Sequence, residues 1–184
     1  MLLVRHGQSY FNLHFSAHRV DPGIEDPELT PLGFEQALAA AAGIAQLPIT
    51  RIIVSPYTRA LQTAEAIRTV HDLPLEVMHE VRERCAFACD VGRAPALLAA
   101  RFPEHRFTHL PERWWPDPVE SAEETTARAD AFRTLMAGRA DSSTTVVVSH
   151  WAFILALTGQ SIGNGELLEY EPAQPAPEHI IWHP

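Results

Sequence analysis

Short apolar runs alternate with runs of helical length along most of this chain, and that alternation limits its fold more than any other feature. Leu2-Leu3-Val4, Arg51-Ile52-Ile53-Val54, Leu75-Glu76-Val77 and Thr144-Thr145-Val146-Val147-Val148 are aliphatic, largely β-branched and too short for helices, so they read as buried strands. Between them, Leu32 to Gln46 is alanine-rich, opens on Thr30-Pro31 as N-cap and first helical residue, and closes before Pro48. Thr58 to Val70 puts Ala60, Leu61, Ala64 and Ile67 on one face. Ser121 caps a further helix to about Met136, with Glu123 and Glu124 in its first turn, and a last one from Trp151 to Leu157 stops at Gly159. Strands joined through helices predict an α/β fold, a three-layer α/β/α sandwich around a mostly parallel central sheet. The tail offers another strand at Leu167 to Tyr170 and, past a proline-rich link, one at His179 to Trp182.

Two stretches lack a period. Residues 7–29 carry His14, His18, Pro22, Gly23 and Pro27 and read as a long loop leaving the first strand. Residues 84–120 are irregular apart from a helical run near Ala94 to Arg101, and they hold the exposed-looking pair Trp114-Trp115, which either lines a site or packs this stretch onto the sheet. With 184 residues and 46% hydrophobic content, the chain is long enough for one sizeable core and short for two. The expected organisation is therefore a single domain over 1–184, with 84–120 as an insertion.

Composition removes several kinds of chemistry. All 14 basic residues are arginine, so neither a Schiff-base lysine nor a phosphate-loop lysine is available. A net charge of −9 without a basic run argues against nucleic acid as a partner. Cys85 and Cys89, the only cysteines, have neither zinc-ribbon nor redox-pair spacing, and read as reduced thiols of a cytoplasmic protein. His14, His18, His105, His109, His179 and His183 show no metal-ligand spacing and are expected at the surface, so neither metal nor other cofactor is predicted. No apolar run reaches membrane-spanning length and no signal-peptide pattern opens the chain. Membrane is not expected as a partner, whereas a homo-oligomer is compatible with the sequence.

The chemistry gathers where strands end. The first strand ends in Arg5-His6, with Gly7 to let the backbone turn; the second leads through Ser55-Pro56-Tyr57-Thr58 to Arg59; the Val146–Val148 run ends in Ser149-His150. In an open parallel sheet, ligands bind outside the carboxyl ends of the strands, so two histidines and two arginines share one rim. Flanking guanidinium groups keep an imidazole neutral, and their forks suit the oxygens of a phosphoryl group that such an imidazole can attack in line.

These residues also carry a resemblance. LLVRHGQSYFN resembles the R-H-G signature of the histidine phosphatase superfamily, the phosphoglycerate mutase-like fold, and LTPLGFEQA, SPYTRALQTA, VRER and VVVSHWAFILALTG are similar to its later pieces, in order, from Leu2 to about Gly159. The resemblance implies that His6 becomes phosphohistidine, that Arg5, Arg59 and His150 complete the phosphate pocket, and that Asn12 adds a polar contact to phosphate. It also puts the proton donor at Glu83. Glu80, three residues earlier, is the competing carboxyl. The implied activity is a metal-independent phosphatase of histidine acid phosphatase type, acting on a small phosphorylated metabolite. The alternatives are phosphoglycerate mutase-type phosphotransfer, for which Arg93, Arg101, Arg106 and Arg113 offer a second anion site, and a phospholigand-binding regulatory protein. Two departures affect the rest of the substrate: Glu83 is followed by Arg84-Cys85-Ala86-Phe87 instead of an aromatic-glycine turn, and His150 by Trp151 instead of a small residue. Asp90 is expected as a solvated loop carboxylate. Gly159-Gln160-Ser161-Ile162-Gly163 spells a serine-hydrolase elbow, but a helix precedes it, and Gly159 reads better as that helix's cap.

Overall fold

Strands β1 (Leu2–Arg5), β2 (Arg51–Val54), β3 (Leu75–Val77), β4 (Thr145–Ser149) and β5 (Leu167–Glu169) form one sheet in the order β3-β2-β4-β1-β5. The computed structural model describes residues 1–117 and 119–182. The first four strands are mutually parallel, and β5 closes one edge antiparallel to β1. The most strand-like run of the sequence, β4, lies in the middle and is buried along its whole length. Both edge strands are only three residues long, which limits the exposed ladder.

Alternation along each strand builds two cores. Leu2 and Val4 of β1, Ile52 and Val54 of β2, and Val146 and Val148 of β4 face α2 (Pro31–Ile44) and α3 (Thr58–Arg68). Leu3, Ile53 and Val147, one residue out of phase, face α5 (Ala122–Ala137) and α6 (Trp151–Thr158). Helices therefore cover both sides of the sheet, and its carboxyl edge remains open. Gly159 caps α6 at φ +73°, and no strand enters the Gly-x-Ser-x-Gly sequence, so the elbow geometry is missing.

Several expectations are corrected. Residues 7–29 contain a helix, α1 (Tyr10–His18). Its start is a reciprocal cap in which the Asn12 N–H donates to Ser9 Oγ and the Ser9 N–H donates to Asn12 Oδ1. The helix buries only Phe11 and exposes Tyr10 and Leu13, so it has no apolar stripe from which to be recognised. Residues 179–182 form no strand. Within 84–120, α4 (Pro95–Arg101) forms as expected, but Leu98, Phe107, Leu110 and Trp114 are built into the α2/α3 core, and Trp114 is buried against Tyr57. The indole N–H of Trp114 donates to the Arg93 carbonyl, which makes that burial affordable to a polar ring. The His105 side chain is also buried, paired with Glu65 on α3. His183 lies outside the described residues.

Candidate active site

The sheet register brings the two histidines together. Arg5 pairs with Ser149 across β1 and β4, so the next residues, His6 and His150, are neighbours at the rim, with ring centroids 4.9 Å apart. Ser55, at the end of β2, accompanies them; its Oγ lies 2.7 Å from His150 Nε2. His6 Nδ1 lies 2.7 Å from the Gly7 carbonyl, which can only accept, so Nδ1 carries the hydrogen and Nε2 keeps its lone pair. Burial, with Arg59 and Arg5 close by, holds the His6 pKa well below its ordinary value, and His150 is lowered in the same way. Both rings are neutral at pH 7.

Local backbone crossing fixes the turn after His6. A Cβ on Gly7 would lie 2.2 Å from the Gly33 carbonyl oxygen, and one on Gly33 would lie 2.1 Å from that of Gln8. Only a glycine pair lets the β1 turn meet the first turn of α2 so closely.

The arginines are held differently. Arg5 donates from Nη1 to the Ile162 carbonyl at 2.8 Å, and its buried Nε has no partner, as is also true of His150 Nδ1. Arg59 is 2% exposed in the first turn of α3, stacked at 4.3 Å on the Tyr57 ring. It donates to the Cys89 carbonyl at 2.8 Å and to Asp90 Oδ1 at 3.1 Å. Asp90 is thus not solvated as expected: it is 1% exposed and also accepts the N–H groups of Ala86 and Phe87. Burial raises the Asp90 pKa, and those bonds with the Arg59 charge counter only part of it. Asn12 is anchored through Oδ1, which accepts from Ser9 and from Asn164 Nδ2, leaving its own amide N–H groups free in the cavity.

Of the two candidate acids, Glu83 lines the cavity with His6, whereas Glu80 sits 46% exposed beside His79. Glu83 Oε1 accepts the N–H groups of Arg84 and of Ala152, in the first turn of α6, both at 2.9 Å. A proton on this carboxyl therefore resides on Oε2. Burial, reinforced by the nearby Asp90 carboxylate, pushes the Glu83 pKa up to about 7. The loop carrying Glu83 is gripped from α5. Arg128 Nη1 donates to the carbonyls of Glu80 and Arg82, both at 2.8 Å, and its Nη2 to that of Glu83 at 3.4 Å. Glu120 takes Arg128 at 2.7 and 3.0 Å and Arg82 at 2.9 Å, so the charges inside this clamp are paired.

Arg5, His6, Asn12, Arg59 and Glu83 all open onto one cavity of about 580 Å³, and His150 lies buried beside His6. Arg84, Phe87 and Trp151, at the two departures from the family pattern, line the cavity, whereas sequence reading missed Arg19, Trp182, Phe11 and Phe15 and took Asp90 for a solvated carboxylate. The usable signal for Asp90 was its spacing from Ala86 and Phe87, whose N–H groups an aspartate three or four residues on can cap. Arg93, Arg101, Arg106 and Arg113 are absent from the lining; Arg93 pairs with Asp26, Arg101 with Glu28 and Arg113 with Asp117. Among the described residues, no group of three or more His, Cys, Asp and Glu side chains is placed to hold a metal ion. Ser161 Oγ accepts the Trp151 indole N–H at 2.8 Å.

A mostly parallel sheet with paired histidines and arginines at its carboxyl edge defines an α/β protein with a strand-end site. The family model described as histidine phosphatase superfamily (branch 1) matches residues 1–173, and this chain belongs to that superfamily. A probable phosphatase of Schizosaccharomyces pombe is 32% identical over 83% of this chain, which spans only 53% of that relative's length. PhoE, an uncharacterized phosphatase of Bacillus subtilis, is 31% identical over 90% of this chain and 79% of its own. Among solved structures, the mycobacterial glucosyl-3-phosphoglycerate phosphatase shares the fold with a TM-score of 0.62 at 24% identity, over 91% of this chain and 87% of that one. No helix of the described residues is long and apolar enough to cross a membrane.

Proposed function

We propose that this chain hydrolyses phosphomonoesters of small metabolites through a phosphohistidine at His6, without a metal. The observation that carries this reading is the His6 ring itself: Nδ1 is tied to the Gly7 carbonyl, and a neutral Nε2 is left among Arg5, Arg59 and Asn12. Nε2 attacks phosphorus, the ester P–O bond breaks, and the departing alkoxide takes the proton from Glu83 Oε2. Water then attacks the phosphohistidine, Glu83 takes a proton from it, the P–N bond breaks, and inorganic phosphate leaves with His6 neutral again. Arg5 Nε and His150 Nδ1, buried and unpartnered, gain acceptors when a phosphoryl group is present. The guanidinium groups supply the positive charge that a metal brings in other phosphatases.

The arginines of residues 91–120, which would have formed a second anion site for mutase-type transfer, are outside the cavity lining, three of them in ion pairs elsewhere. Arg19 and Arg84 do line the cavity, so the measurements below decide between hydrolysis and transfer. A reducing compartment such as the cytoplasm suits Cys85 and Cys89, which are buried and unbridged. The test is a rapid quench in alkali with radiolabelled ester, after exhaustive EDTA treatment. One acid-labile phosphate per chain, absent in His6→Ala, supports the reading. Loss of turnover on chelation, with recovery on adding zinc or magnesium, overturns metal independence. Bisphosphate-dependent interconversion of 2- and 3-phosphoglycerate faster than any phosphate release overturns hydrolysis as the reaction.

A further inference from the structure

The phosphate-binding side chains occupy only one part of the cavity. Elsewhere its lining is aromatic: Phe11 and Phe15 from α1, Phe87 from the turn after Glu83, Trp151 from the start of α6, and Trp182 near the end of the described chain. Phe15 lies 5.1 Å from both Phe11 and Phe87, and Phe11 lies 5.3 Å from Phe87, as ring centroids. The three rings form a closed cluster outside both sheet cores, and Phe87 is 41% exposed at the cavity. Its position is set by the phosphate-binding machinery, because the Phe87 N–H donates to the same Asp90 carboxylate that holds Arg59. The Trp151 ring is fixed by its bond to Ser161. Two guanidinium groups back the aromatic surfaces, Arg19 at 5.8 Å from the Phe15 centroid and Arg84 at 5.4 Å from that of Trp182.

We propose that this aromatic part of the cavity is a leaving-group subsite for a flat, aryl-bearing alcohol, so that arylmethyl-type phosphomonoesters are preferred to sugar or polyol phosphates. The inference rests on the phosphatase reading for turnover, but the subsite itself can be read by binding alone. A sugar phosphate needs hydrogen-bonding groups spread around its hydroxyls. Beyond the phosphate-binding residues the polar side chains of the lining are mostly engaged already, Ser9 with Asn12, Arg84 with the Glu120 carbonyl, Asp90 with Arg59 and Ser161 with Trp151. That leaves Ser16 and Arg19 for a ligand's hydroxyls. A flat ring gains from burial and from edge or offset contacts with fixed aromatic side chains. It also covers Phe87, whose exposure no packing in the free protein explains.

The experiment pairs two probes. Calorimetry compares 2-naphthylmethylphosphonate, which cannot be hydrolysed, with 2-hydroxyethylphosphonate. Kinetics compares 2-naphthylmethyl phosphate with glycerol 2-phosphate, in which the leaving groups are both alkoxides. The aryl probe should lead by about tenfold or more in both affinity and kcat/KM. Phe87→Ala and Phe15→Ala should each bring that ratio down to about threefold or less, and Phe87→Leu should retain part of it. A wild-type ratio near one, or a ratio unchanged in both alanine variants, overturns the subsite. An aryl preference in binding with no ester turned over sustains the subsite and overturns the phosphatase reading; turnover of all esters without preference does the reverse.

Discussion

The two ends of the cavity are built in opposite ways. At the phosphate end, His6 and His150 sit on adjacent parallel strands in fixed register, Arg59 is almost completely buried, and most polar atoms are already tied to the backbone. At the other end, the rings come from a short helix with a single buried residue, from a loop, and from the chain's last described residues. Sheet geometry is intolerant of change because neighbouring strands determine each other's positions. Helix α1 has few such obligations, whereas the Phe87 turn is tied to Arg59 through Asp90. On the function and subsite proposed above, reaction chemistry sits on the sheet register and leaving-group recognition on a short helix and on loops.

The largest test of this division is at the nucleophile. His6→Ala should lower kcat for every ester alike by about 10⁴-fold or more, and no leaving group should rescue it. A variant that kept turnover on good leaving groups would show that the strand-end site is not the source of the nucleophile.

Glu83, the proposed acid, lines the cavity with His6, so its loss should depend on the leaving group. Glu83→Gln should cost about 10²-fold or more in kcat on an alkyl ester and under about tenfold on 4-nitrophenyl phosphate. With the Glu83 pKa raised to about 7 in the free protein, wild-type kcat/KM on alkyl esters should fall as pH rises past that value, and the variant should lose this limb. The same pattern from Glu80→Gln, with Glu83→Gln unaffected, would transfer the role to Glu80.

Positioning should show a smaller effect. Arg128→Met leaves Glu83 in place chemically but frees three carbonyls of its loop. Turnover of alkyl esters should drop by about tenfold, with 4-nitrophenyl phosphate affected less and the basic limb displaced. Equal losses on both esters with an unmoved pH profile would mean that Arg128 supports only the fold.

The smallest expected effect is thermodynamic. The folded state keeps a proton on Glu83 up to about pH 7, whereas an unfolded glutamate releases it near 4.5. Between those values the folded state binds more protons, so stability falls as pH rises from about 4.5 to about 7. Glu83→Gln cannot titrate, and its Tm should gain a few degrees on wild type over that interval, by calorimetry at each pH.

The phosphate end was legible in the sequence because strand ends obey topology: an apolar run followed by Arg-His or Ser-His says where those side chains go. The same logic failed wherever local polar chemistry decided. Helix α1 is set by the Ser9–Asn12 cap and not by a stripe, so its sequence shows no period. Asp90 is buried because Arg59, thirty-one positions earlier, faces it; charge pairing at that range leaves no mark on composition. Trp114 is left by the sequence between lining the site and packing the insertion onto the sheet; it packs, filling the space over Gly92 and Tyr57, where a Cβ on Gly92 would lie 2.4 Å from the indole. In each case a specific long-range partner overrode the local pattern.

The crossing of Gly7 with Gly33 has a consequence for how this chain can be altered. Around it, Ser9 bridges Leu29, the Tyr10 N–H donates to the Glu28 carbonyl, and the Thr30 N–H donates to that of Gln8. Residues 10–28 are thereby an excursion whose two feet are clipped side by side, like a handle riveted to a plate. Such a handle can be exchanged for one of another length or lining without pulling on β1, because the strain stops at the rivets. Two attachments would have to be copied into any replacement: Asn12, which faces the cavity, and Asp26, whose carboxylate accepts the N–H and hydroxyl of Thr58 at the start of α3. With those retained, grafting this segment between relatives would carry over a leaving-group wall and keep the recipient's chemistry.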